Sequence, residues 1–145
     1  HAGDALVLLA AYVLGPLWGS LAAALGSSLA DLMAGYVQYF PGPFVIKAVM
    51  ALLAGALLRR FGEKRPVVTS VLAGLAAEVV MVLGYLAYEG ALLGYGWAAA
   101  GSIPTNIVQG VFGAVASSAL FAALIKTPYA RRELGLNFMH DRDKR

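Results

Sequence analysis

Four long apolar segments, separated by short polar or aromatic stretches, make up most of this chain. They cover about residues 16–33, 43–58, 66–88 and 104–125. Each is rich in Gly and Ala, and together they predict a polytopic helical bundle in a membrane. The second and third open on Pro43 and Pro66, at the helix start where a missing N–H costs nothing. The second is followed by Arg59 and Arg60, and the fourth stops at Lys126-Thr127-Pro128. Residues 43–58 reach only ~24 Å as a helix, short but workable in a bundle with snorkelling ends. A fifth apolar run, from Asp4 to Leu14, would reach ~16 Å and is broken by Gly15-Pro16. Two readings of it stay open. It is either a separate short span, or the first half of one long kinked helix ending near Met33.

Charge gives the bundle an orientation. Ten of the eleven Lys and Arg residues fall in two stretches: Arg59, Arg60, Lys64 and Arg65, and the six between Lys126 and Arg145. Basic residues concentrate on the cytoplasmic side of membrane proteins. Residues 35–42 and 89–103 contain no Lys or Arg but carry Tyr36, Tyr39, Phe40, Tyr95 and Trp97, which suits an outer interfacial belt. The expected organisation is a transmembrane bundle over residues 1–127 and a cytoplasmic basic tail over residues 128–145, in the cell membrane. The tail serves as a topology anchor, with contact to anionic lipid as the alternative.

Composition agrees and narrows the chemistry. Of 145 residues, 60% are hydrophobic and 13% charged, too apolar for a soluble domain of this length. The net charge of +3 belongs to the inner loops, so it reads as topology and not as nucleic-acid binding. There is no cysteine, and the two histidines are His1 and His140, so neither a thiolate site nor a metal centre is expected. No phosphate-cradling loop and no Ser/His/Asp set is present, so neither ATP hydrolysis nor an enzyme activity is expected, and no cofactor. The chain begins with His1 rather than Met, as though partway into something longer.

Polar groups at membrane depth are the candidate functional residues. Lys47 sits among Phe44, Val45, Ile46 and Val49, where an ammonium is expensive unless it snorkels along its own stem. Glu78, twelve residues into its segment, is too deep and too short to snorkel. A structural Lys47–Glu78 ion pair is the plain reading; a ligand inserted between the two is the functional one. Glu78, Tyr85 and Glu89 are spaced by seven and four residues, so they form one helical stripe. Asn106 and Gln109, three apart, form a second, explained either by interhelical hydrogen bonds or by a ligand. Together Lys47, Glu78, Tyr85, Asn106 and Gln109 describe an outward-facing pocket for a small polar heterocycle, with Phe44, Tyr39 and Trp97 to stack on its ring. Small residues spaced by three or four, such as Gly19, Ala22, Ala23 and Gly26, serve internal packing or a partner surface.

Five stretches in order resemble a known family. They are Gly3-Asp4-Ala5 leading into Leu14-Gly15-Pro16; Gly26-Ser27-Ser28-Leu29-Ala30-Asp31-Leu32 with Gly35-Tyr36; Phe44-Val45-Ile46-Lys47 with Ala54-Gly55; Glu78-Val79-Val80-Met81-Val82-Leu83-Gly84-Tyr85; and Pro104-Thr105-Asn106-Ile107-Val108-Gln109-Gly110. Across about residues 3–125 the chain resembles the substrate-binding (S) components of energy-coupling factor (ECF) vitamin transporters. The resemblance implies an all-α bundle of six helices in the full family fold, of which five fall here and the first is missing. It favours the separate-span reading of residues 4–14. It implies a water-soluble vitamin or precursor (hydroxymethylpyrimidine or thiamine type, pyridoxine or riboflavin) bound beneath an extracellular loop. It also implies a transmembrane coupling protein and two cytoplasmic ATPases as partners. A structural membrane protein of similar shape, and a stand-alone secondary transporter using Glu78 as proton carrier, are the rival readings.

Overall fold

The computed structural model describes residues 2–132, the side chain of residue 131 excepted. Its long helices are α1 (Gly3–Met33), α2 (Pro41–Phe61), α3 (Pro66–Ala87) and α4 (Ile103–Leu124), followed by a short α5 (Pro128–Arg132). Proline stands in the first turn of α2, α3 and α4, where helix geometry needs no donor and the fixed φ favours initiation. Among the described residues four helices, α1 counted whole, are long and apolar enough to cross a membrane. Among the described residues there is no strand.

Helix α1 is two arms and not one rod. Gly15 has φ 83° and ψ 178°, a conformation that a side chain opposes, and Pro16 supplies no N–H to continue the ladder. A Cβ placed on Gly19 would lie 2.6 Å from Ala11 Cα, whereas one straight helix would separate those residues by ~12 Å. Contacts with α2 give the direction of each arm. Asp4 meets Lys47 and Ala11 lies against Gly55, so residues 3–14 run parallel to α2. Pro16 also lies against Gly55, but Ser28 Oγ donates to the Phe40 carbonyl at the other end, so residues 16–33 run antiparallel to it. The chain reverses at Gly15-Pro16, and the separate-segment reading holds: five apolar helical segments precede α5.

These segments close into a ring, α1 on α2 and α4, α2 on α3, and α3 on α4. Glycine brings the backbones together. Gly74 admits the Tyr12 hydroxyl and Ala114, and Tyr12 Oη donates to the Ser70 carbonyl at 2.7 Å. Leu8, Tyr12, Met50, Leu58, Met81 and Phe121 fill the middle. Outside, Leu17, Trp18, Leu21, Leu25 and Leu29 of the second arm are all at least half exposed. Such a stripe is a liability in water and an ordinary surface in lipid.

One end of the ring carries Arg59, Arg60, Lys64 and Arg65 around the α2–α3 turn, with Arg59 folded over Gly15. The other end is capped by aromatic turns: Val37–Tyr39, a wide turn at Tyr88–Leu92, and Gly96–Ser102. Of the tail, Pro128–Arg132 is helical with Ala130 buried; the rest of the expected basic tail lies outside the described residues.

Candidate functional site

Between the two arms of α1 and the aromatic ends of α2, α3 and α4 lies a cavity of about 650 Å³. Small residues of both arms, among them Gly3, Ala10, Ala22, Ala23 and Gly26, form one wall. Because their side chains take little room, the arms leave space without parting at the basic end. The polar wall comes from the other helices, with Lys47, Tyr85, Glu89, Asn106 and Gln109, and from Asp31, Tyr36 and Tyr39 at the end of α1 and its following turn.

Behind one wall, reaching the cavity through Lys47 and Gln109, is a buried ion pair. The Lys47 ammonium donates to Asp4 Oδ1, with side chains only 4% and 0% exposed. Gln109 Nε2 donates to the other carboxylate oxygen, Oδ2, at 2.6 Å. The Lys47 ammonium also stands 5.3 Å from the centre of the Tyr85 ring, within cation–π range. One carboxylate from α1 thus gathers a cation from α2 and an amide from α4, while α3 supplies the aromatic face. Buried charges are tolerated when paired and hydrogen-bonded in this way.

A second network holds the mouth. Ser102 Oγ donates to Glu89 Oε2 at 2.8 Å, and Asn106 Nδ2 donates to Ser102 Oγ at 3.4 Å. Tyr88 Oη donates to the Gln38 carbonyl at 2.7 Å, tying the α3 end to the turn after α1. Tyr36 and Tyr39 meet edge to face, 6.4 Å between ring centres. Burial first, and the nearby Glu89 carboxylate second, push the Tyr39 hydroxyl up to about 12. It therefore stays a protonated donor under neutral conditions.

The residues expected from sequence divide accordingly. Lys47, Tyr85, Asn106, Gln109 and Tyr39 line the cavity; Glu78, Phe44 and Trp97 do not. Trp97 is 96% exposed on the Gly96–Ser102 turn, and Phe44, 38% exposed, lies outside the lining. The Lys47–Glu78 pair is corrected: Asp4 is the partner of Lys47. Glu78 is buried against Gly110 and Gly113, and neither carboxyl oxygen has a hydrogen-bond partner among the described residues. The reason is depth. Lys47 is six residues from the aromatic end of α2 and Glu78 nine from that of α3, an offset of ~5 Å that the first arm of α1 fills with Asp4. Sequence reasoning passed over Asp4, Asp31 and Tyr36 as site residues. The signal for Asp4 was present, because it is the lone charge in an apolar run. Among the described residues no group of three His, Cys, Asp or Glu side chains is placed to hold a metal ion.

Comparison with known proteins bears on this geometry. Residues 1–126 match the family model described as ECF-type riboflavin transporter, S component. A protein of Pyrococcus woesei, described as "Uncharacterized protein in gap 3'region", is 35% identical over 121 residues, spanning 81% of this chain and 76% of that one. No solved structure matches the chain.

Proposed function

We propose that this chain, which belongs to the S-component family of ECF-type riboflavin transporters, is the membrane-embedded subunit that binds a small water-soluble vitamin or precursor for import. As a multi-pass membrane protein of a transporter family, it needs a one-sided ligand chamber. The observation that carries the reading is the cavity of about 650 Å³ lined by Lys47 and Gln109, both bonded to the buried Asp4 carboxylate. That volume lies within the usual range for small-molecule sites. The basic residues of the α2–α3 turn, at the end opposite the cavity mouth, support a mouth on the extracellular side and a cytoplasmic C-terminus in a cell-membrane protein.

The ligand ring stacks against Tyr85 and Tyr39, its acceptors meet the Lys47 ammonium and the Gln109 and Asn106 amides, and water is displaced from the apolar arms. No bond in the ligand is made or broken. A pair already formed between Lys47 and Asp4 spares the ordering cost of gathering those side chains on binding. Energy for uptake comes from a transmembrane coupling protein and two cytoplasmic ATPases, since this chain contains no phosphate-cradling loop.

Native mass spectrometry of protein purified without added ligand tests the reading. A retained heterocycle of vitamin size is expected, lost in the Lys47→Ala, Gln109→Ala double variant. Protein that is folded, ligand-free and unresponsive to every vitamin tried would refute it in favour of a structural role. Uptake by the chain alone in liposomes would instead transfer it to the secondary transporters.

A further inference from the structure

The charges around the cavity do not cancel. Among the described residues Lys47 is the one basic side chain in its lining, and it is already committed to Asp4. Asp31 and Glu89 also line the cavity; among the described residues neither forms a salt bridge with a basic side chain, and Asp31 feels the Lys47 charge only at longer range. The segments closing the mouth, residues 34–40 and 88–102, contain no Lys or Arg. The hydrogen bond Glu89 accepts comes from the neutral Ser102 hydroxyl, which orients the carboxylate without neutralising it. Lining the same space are the rings of Tyr36, Tyr39 and Tyr85, whose negative faces attract cations. A chamber with two surplus carboxylates and three tyrosines, walled by apolar helix, attracts positive charge and repels anions.

Resting on the importer reading, we infer that the cavity selects a positively charged heterocycle, its cationic group held between Asp31, Glu89 and the tyrosine rings, its polar edge on Lys47 and Gln109. Uncharged ring systems of similar size bind less tightly, and phosphorylated or carboxylated ones are excluded by the two carboxylates. This assignment differs from what the riboflavin label of the family model would give, since the flavin nucleus and its ribityl chain are uncharged at neutral pH. It also gives Asp31 and Glu89 a role that the hydrogen bonds around them do not explain.

A matched pair of probes isolates charge from shape. Pyridoxamine and pyridoxine share one ring and differ in an ammonium against a hydroxyl; thiamine and riboflavin extend the comparison to a larger cation and to an uncharged flavin. Calorimetric titration of the full chain in lipid nanodiscs measures all four. Pyridoxamine is expected to bind about tenfold or more tightly than pyridoxine, and thiamine to exceed riboflavin by a similar factor, about 1.4 kcal/mol per tenfold. In Asp31→Asn and Glu89→Gln, both at the partly exposed mouth, the preference for the cationic member of each pair falls by about tenfold. The native chain alone already decides the matter if a variant does not fold. Riboflavin or pyridoxine binding at least as well as its cationic counterpart overturns the charge assignment and leaves the importer reading standing. Absence of binding by all four overturns both.

Discussion

Removing the Lys47 ammonium tests the central contact of the site. In Lys47→Met the stem volume is roughly kept, but Asp4 is left as a fully buried carboxylate still accepting from Gln109 Nε2. Breaking a buried pair from one side costs about 3–5 kcal/mol, most of it the penalty for the stranded charge. Asp4→Asn strands the ammonium instead and costs a similar amount, softened by the Tyr85 face 5.3 Å away. The double variant has no stranded charge, and a buried pair replaced by neutral groups is about neutral. The singles therefore sum to roughly 6–10 kcal/mol, the double costs near zero, and the coupling is large. Equilibrium unfolding in detergent, with both singles and the double, measures it. A second cycle with Glu78→Gln in place of Asp4→Asn discriminates the two carboxylates, since Glu78 does not contact Lys47. Additive Asp4 and Lys47 effects, or stronger coupling of Lys47 to Glu78 than to Asp4, would refute the assigned pair.

Four further outcomes follow from the same geometry. Gly113→Ala places a Cβ 2.8 Å from Glu78 Oε1 and 2.9 Å from Asp4 Cβ, so it lowers unfolding stability by about 1–3 kcal/mol. Gly26→Ala, whose Cβ meets nothing within 4 Å, leaves stability unchanged or raises it by up to ~1 kcal/mol. For the retained ligand, Gln109→Ala weakens affinity by about tenfold, while Glu78→Gln, outside the lining, changes it less than threefold by the same estimate; titration calorimetry reads both. Tyr39 keeps its proton to about 12 in the folded chain and loses it near 10 when unfolded. Stability is thus undiminished below pH 10 and falls as pH rises through 10–12. Tyr39→Phe should flatten that part of a stability–pH curve measured by chemical denaturation.

Legibility from sequence followed the range of the interaction concerned. The starts of α3 and α4 are written in Pro66 and Pro104, because initiation is local, whereas α2, expected from Pro43, begins two residues earlier at Pro41. The stripe of Glu78, Tyr85 and Glu89 was legible for the same reason, but its depth relative to the cavity was not. Tyr85 and Glu89 reach the chamber, while Glu78, two turns deeper than Tyr85, lies outside its lining against Gly110 and Gly113. Whether residues 3–14 continued or reversed depended on packing around Gly15, which no periodicity records. The meeting of Asp4 with Lys47 spans 43 residues of sequence, and an acid near a helix start also reads as a favourable partner of the helix dipole. Trp97 was misplaced because an aromatic residue in a Gly-rich turn has no local determinant of its facing; it stands 96% exposed.

The taper of the chamber has a directional consequence. Beneath its floor the neighbouring atoms are main chain: Gly19 rides on Ala11 Cα and the Ala10 carbonyl, and Gly55 on Pro16 N and Cα. A side chain yields by turning about its own bonds; abutting backbones do not. Anything seated above that seam leaves through the basic end only when whole segments slide or tilt against each other, so the glycines that narrow this end also make the described bundle a cup and not a pipe.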